Sequence, residues 1–283
     1  MALENIGALV YLPDEKKIER YTADSMESFD EIDAYWMQRE GLLFYPFDRS
    51  KQAYFFSNDP NENTITEFDL SPNEPLTQLE YETSVYLARA DMETGDLEKV
   101  VLARNEIIQG QFDPEESFQK AVKKYPNSYG YYVNIGPEVW VGASPELLLH
   151  YADGVVYTVA LAGTKSLSEE FTHKEHEEQK MVAQFIEEKL AKIGLINFTK
   201  SEVQEATFGD IKHLKTAYTA QADKLQALEL LKHLQPTSAV CGLPRDKSFG
   251  FIQEFETMNR SFYSGITGVL RKNTATFFVN LRC

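Results

Sequence analysis

What most constrains the fold is the way the apolar runs are grouped: strand-like stretches come in clusters, with helical stretches between the clusters and not after every strand. Ala8 to Leu12, Leu42 to Phe47 and Tyr54 to Phe56 read as short strands among turns. Residues 57–77, with Asn58-Asp59-Pro60-Asn61 and Ser71-Pro72-Asn73, read as a loop. Helical spacing runs from Leu79 to about Asp96, and a strand-like Lys99 to Arg104 follows. Asp113-Pro114 opens the next helix, an N-cap followed by proline at the first helical position. Tyr129 to Val133, Val139 to Ala143 and Val155 to Leu161 look like sheet; helices return at about 173–192, 223–234 and 246–256, before a final strand, Thr276 to Leu281. A doubly wound fold would alternate strand and helix unit by unit, so the pattern predicts α+β with mainly antiparallel sheet. The expected organisation is a strand-rich lobe over 1–78 and a second region over 79–283, interwoven as one domain.

With 283 residues, 43% of them apolar and 12% aromatic, the chain can bury a large core. It contains no apolar run of the roughly 18 residues that a membrane helix needs. Met1-Ala2-Leu3-Glu4-Asn5 has neither the basic stretch nor the apolar core of a signal peptide, which predicts a cytoplasmic protein. Cys241 and Cys283 show no metal-ligand spacing and no disulfide framework, in keeping with a reducing compartment. A net charge of -16 argues against nucleic acid or an anionic membrane as partner. A small anion would have to be held by a few local cations, a metal ion or helix N-termini.

The helix near 173 carries the sharpest local signal. Thr172-His173-Lys174-Glu175 has the capping-box form, which fixes where the helix begins. Met181, Val182, Phe185, Ile186 and Leu190 then mark its apolar face, and Glu178 lies on that stripe. An inward carboxylate is costly unless paired, protonated or metal-bound, so Glu178 is a better ligand candidate than Glu175 or Glu177. The alternative is a half-solvated carboxylate favoured by the helix dipole. His173 and His176, with no third ligand at a motif spacing, read as surface residues, and His150 and His233 as ordinary histidines. Lys99 opens an apolar strand, either as a solvated strand end or as an amine held in a cleft. Glu146 is wedged between Gly142-Ala143-Ser144-Pro145 and Leu147-Leu148-Leu149, as a turn carboxylate or a buried acid.

At these residues the chain resembles the chorismate-utilising enzymes. Lys99-Val100-Val101-Leu102-Ala103-Arg104, Gly142 to Leu148, Leu161-Ala162-Gly163-Thr164, His213-Leu214 and Pro236 to Pro244 are similar to that family's signature blocks, in order. So are Glu256, Arg260, Tyr263-Ser264-Gly265 and Asn280-Leu281-Arg282, and the similarity spans about 80–283. The resemblance implies two stacked, mainly antiparallel sheets flanked by helices, with chorismate and Mg2+ in the cleft between the lobes. It implies Lys99 as general base, Glu146 as general acid, Glu178 as a magnesium ligand and Arg282 as a fork for a substrate carboxylate. Ala162, Gly163, Thr164, His213, Ala239, Val240 and Tyr263 match positions that line the pocket.

Within the family, the resemblance points to isochorismate synthase. Aminating members usually carry glutamine in place of Lys99, aminodeoxychorismate makers commonly carry a lysine in place of Ala162, and aminating and salicylate-forming members tend to have threonine in place of Ala239. The implied protein is a monomer without an amidotransferase partner, serving menaquinone or siderophore biosynthesis. Salicylate synthase and the anthranilate or aminodeoxychorismate synthase component are the alternatives. Gln179 and Gln235 stand where histidine is common. The family also continues past Arg282 with a strand, a glycine-rich turn and a helix bearing acidic magnesium ligands. Either the sequence is truncated or its activity is impaired; the 283-residue polypeptide is expected to bind magnesium weakly and to turn over little, and a catalytically impaired chorismate-binding fragment is a further alternative.

Overall fold

The computed structural model describes residues 6–57, 75–256 and 258–283; the loop expected at 57–77 lies, from 58 to 74, outside them. In chain order the elements are β1 (Ile6–Leu12), β2 (Lys17–Thr22), β3 (Met26–Phe29), β4 (Gly41–Tyr45), β5 (Ala53–Ser57), α1 (Gln78–Thr94), β6 (Lys99–Val100) and α2 (Pro114–Lys124). They continue as β7 (Tyr129–Ile135), β8 (Glu138–Ser144), β9 (Leu147–Ala152), β10 (Val155–Ser166), α3 (His173–Lys192), β11 (Phe198–Lys200), β12 (Gln204–Phe208) and β13 (Ile211–Gln221). The last are α4 (Lys224–Leu234), β14 (Gly242–Leu243), α5 (Arg245–Phe255), β15 (Ile266–Leu270) and β16 (Thr274–Val279).

A four-stranded sheet has the order β2-β1-β7-β8. A ten-stranded sheet runs β11-β13-β10-β9-β16-β15-β4-β5-β3, with β12 also on β13. Both are antiparallel and open, as the α+β reading expects. Strands from the first 57 residues enter both sheets, β1 pairing with β7 and β4 with β15.

Alternation along the central strands explains the layering. Leu42 and Phe44 of β4, with Tyr54 and Phe56 of β5, face one core, where they meet Ala8, Val10, Tyr129, Tyr131 and Val133 of the smaller sheet. Leu43, Tyr45, Ala53 and Phe55 face the opposite core, against Val182, Phe185 and Ile186 of α3 and Leu228 and Leu231 of α4. A strand with both faces covered has no place for a polar residue except its ends, which is why β4 reads as a continuous apolar run. The outer face of the small sheet is closed by Phe118 of α2 against Leu9 and Tyr11. These elements form four layers, α2, small sheet, large sheet, then α3 and α4, while α1, α5 and β6 share a further small core around Ala88, Leu97 and Phe251. Among the described residues no helix is long and apolar enough to cross a membrane.

Two expected boundaries shift. The strand over Lys99 to Arg104 pairs only at Lys99–Val100, because its partner β14 is two residues long. The final strand runs Thr274–Val279, and Asn280 turns out of the ladder to bond Gly265.

Candidate active site

Lys99 sits on β6, opposite Leu243 of β14. Its backbone is fixed from several sides: Glu98 N–H donates to Leu243 O (2.8 Å), Val101 N–H to Cys241 O (2.9 Å), and the Ser248 hydroxyl to Lys99 O (2.8 Å). The side chain, 14% exposed, reaches Glu178 Oε1 at 3.2 Å.

Glu146 leaves β8 through Ser144-Pro145, and this turn is stitched to the end of β16 and the chain after it. Ser144 is fully buried and donates to Val279 O (2.5 Å), Val279 N–H donates to Glu146 O (3.0 Å), and Ala143 N–H to Arg282 O (3.1 Å). These bonds bring Arg282 to the same place as Glu146. Burial pushes the Glu146 carboxyl up to about 7, against the opposing charges of Lys99 and Arg282. At neutral pH it is therefore poised to give up a proton, which is the property a general acid needs.

Glu178 is delivered by α3, whose start is set by the reciprocal bonds of Thr172 and Glu175. Bonds from the Thr172 hydroxyl and N–H hold the Glu175 carboxyl down to about 2, so Glu175 is committed to the cap. The buried stripe of α3 begins with Glu175 and Gln179, whereas Glu178, 37% exposed, lies at its edge and turns to Lys99. Gln179 fills its histidine-like place by donating to Ala160 O and Thr216 Oγ1, both at 3.1 Å.

Gly163 is a bulge in the β10–β13 ladder: Ala162 faces Leu214 and Thr164 faces His213, leaving Gly163 unmatched. Its φ is +71°, and a Cβ there would lie 2.8 Å from Glu175 O, so the start of α3 can approach only a glycine. The bulge aligns Thr164 Oγ1 with His213 Nδ1 at 3.0 Å. Burial, with the charge of Arg282, lowers the His213 pKa to about 4, so its ring is neutral at pH 7. Its Nε2 is buried and has no partner among the described residues, and the same holds for the hydroxyls of Thr237, Ser238 and Ser264.

Lys99, Glu146, Glu178, His213 and Arg282 thus form one electrostatic neighbourhood, drawn from β6, the β8–β9 turn, α3, β13 and the segment after β16. Ala162 and Val240 are buried in the helix-side core, with Ala239 packed against it. Tyr263, half-buried, has its phenol pKa raised by burial, and the Arg260 guanidinium lies 6.0 Å from its ring centroid. Ser144, inside a signature block, and Ser248, outside all of them, place catalytic candidates without carrying a signal of their own. Their value lies in bonds to Val279 and Lys99, far away in sequence.

A family model for chorismate binding enzymes matches residues 47–283. The chain belongs to that family. Isochorismate synthase MenF of Escherichia coli (strain K12) is 28% identical over 214 residues, 70% of this chain and 49% of the relative. Anthranilate synthase component 1 of Pseudomonas aeruginosa is 26% identical over 214 residues, 70% of this chain and 43% of the relative. The chain spans about half the length of the curated relatives it matches. The solved structure of the menaquinone-specific isochorismate synthase MenF from Escherichia coli superposes with a TM-score of 0.81 at 20% identity, covering 98% of this chain and 79% of that one. That likeness establishes the chorismate binding enzyme fold.

The donor set at Glu178 is consistent with a hard cation that is only partly held by protein. Among the described residues no three His, Cys, Asp or Glu side chains stand close enough to hold a metal together. Glu178, whose partner is the Lys99 amine at 3.2 Å, is the one carboxylate here that would hold a hard cation such as magnesium.

Proposed function

We propose that this chorismate binding enzyme is an isochorismate synthase, a cytoplasmic isomerase that adds water to one carbon of the chorismate ring as the hydroxyl leaves another. The observation that carries this reading is the pairing of an amine, Lys99, with a carboxyl whose pKa is raised to about 7, Glu146, in one electrostatic neighbourhood. Lys99 takes a proton from the attacking water, the double bond shifts, and Glu146 gives a proton to the departing hydroxyl, which leaves as water. Exchange with solvent then restores both groups. Arg282 binds a substrate carboxylate through its fork. Glu178 would hold magnesium, whose charge offsets that of the substrate carboxylate in a protein of net charge -16. The neutral His213 and the bulge residues Gly163 and Thr164 shape the wall, with Ala162, Ala239, Val240 and Tyr263.

Chromatography of chorismate incubated with protein and magnesium tests this. Isochorismate is expected as product, without pyruvate release and without any need for ammonia or an amidotransferase partner. Lys99→Ala should lower the rate by about 10²- to 10⁴-fold, the usual contribution of a positioned acid or base. Pyruvate release would make the protein a salicylate synthase, ammonia dependence an aminating enzyme, and chorismate binding without turnover a non-catalytic binder.

A further inference from the structure

Glu256 and Arg260 form the most deeply buried ion pair among the described residues, with side chains 1% and 3% exposed. Arg260 Nε donates to Glu256 Oε1 (2.6 Å) and Nη2 to Glu256 Oε2 (2.7 Å). Two further donors go to backbone: Nη2 to Val101 O (2.7 Å) and Nη1 to Val240 O (2.9 Å). Glu256 Oε2 in turn accepts the Ala103 N–H at 3.0 Å. The guanidinium also lies over Phe47, 4.5 Å from the ring centroid. One planar fork therefore ties the segment just past Lys99 to the segment carrying Ala239 and Val240.

A buried ion pair is weak ground for stability, since well-packed apolar residues often serve as well. An apolar pair could not bond Val101 O, Val240 O and Ala103 N–H together. The role left for this pair is geometric. We propose that Arg260 is a positioning residue for Lys99, its fork fixing the distance between the strand that bears the amine and the segment that lines the substrate. The inference rests on the reading of Lys99 as general base.

Arg260→Lys keeps the charge opposite Glu256 but has no planar fork to reach both carbonyls. Amide exchange at Val101 and Ala103 is expected to quicken at least about tenfold beyond any global change. The kcat should fall about 10- to 100-fold while KM stays within about threefold, as for a displaced catalytic group. In a Lys99→Ala background, Arg260→Lys should cost no further rate, because residues that act through one another are not additive. Unchanged exchange over 99–103, or equal losses in both backgrounds, overturns the inference alone. A Lys99→Ala protein that turns over normally overturns the reading of Lys99, and this inference with it. If Arg260→Lys does not fold, Glu256→Gln, which retains an acceptor for the Ala103 N–H, goes through the same cycle with the same outcomes.

Discussion

Glu146→Gln is expected to slow chorismate conversion about 10²- to 10⁴-fold and, at pH 8, to make the protein more stable. Burial holds the Glu146 carboxyl at about 7, above its ordinary value of 4.5. A general acid must be protonated to act, so the wild-type rate should fall above pH 7, by about tenfold per pH unit once the carboxylate dominates. Glutamine has the same shape but no acidic proton, and the rate should drop about 10²- to 10⁴-fold. Stability follows from the same shift. Between pH 4.5 and 7 the folded chain keeps a proton that the unfolded chain has released, so stability from this group is fully present below 4.5 and is lost as pH rises through 7. At about 1.4 kcal/mol per unit, the loss is of the order of 3 kcal/mol, and the Glu146→Gln variant, with nothing to ionise at that position, would not suffer it. Urea unfolding of both proteins at pH 5 and pH 8 measures this. The wild type should lose that amount relative to the variant; parallel curves, or an active Glu146→Gln protein, would remove Glu146 as the acid.

The legibility of this site in the sequence follows from how locally each feature is encoded. The start of α3 was readable because a capping box is four consecutive residues, and Thr172 and Glu175 bond each other as the pattern requires. The α+β class is readable because strand-like runs come in clusters between helices, and β4 and β5 carry their burial as plain apolar runs. By contrast β13, with Lys212, His213 and Lys215 among its residues, mixes charges into a strand that is paired along both edges in the ten-stranded sheet, so no plain apolar run marks it. The edge placement of Glu178 was also hidden: periodicity put it on the buried stripe, yet Glu175 and Gln179 occupy that stripe and Glu178 turns aside to Lys99. Resemblance supplied Lys99, Glu146 and Arg282 as candidates. The bonds that bring them together join residues more than 100 positions apart, such as Ser144 with Val279 and Ser248 with Lys99, and no local pattern encodes those.

Gly242→Ala should be among the most damaging single-methyl additions in the chain. Gly242 has φ +141°, and a Cβ there would stand 2.1 Å from Lys99 O and 2.6 Å from the Ser248 hydroxyl oxygen. Neither contact is with the loose end of a long side chain. Lys99 O belongs to backbone, and Ser248 is fully buried and bonded to that same oxygen. Backbone strain and overpacking each cost about 1–3 kcal/mol, so a total of about 2–6 kcal/mol is expected, relieved only by pushing β6 away from β14. That movement shifts Lys99 relative to Glu146, so the chorismate conversion rate should fall further than the unfolded fraction explains. Ser248→Ala provides the contrast: it removes one hydrogen bond to Lys99 O without moving backbone, at about 1 kcal/mol, and should leave most of the rate. The comparison is made by thermal melting, with rates taken at a temperature where both variants are fully folded. If Gly242→Ala melts and turns over like the wild type, β14 does not brace Lys99, because the two strands could then separate without consequence for the amine.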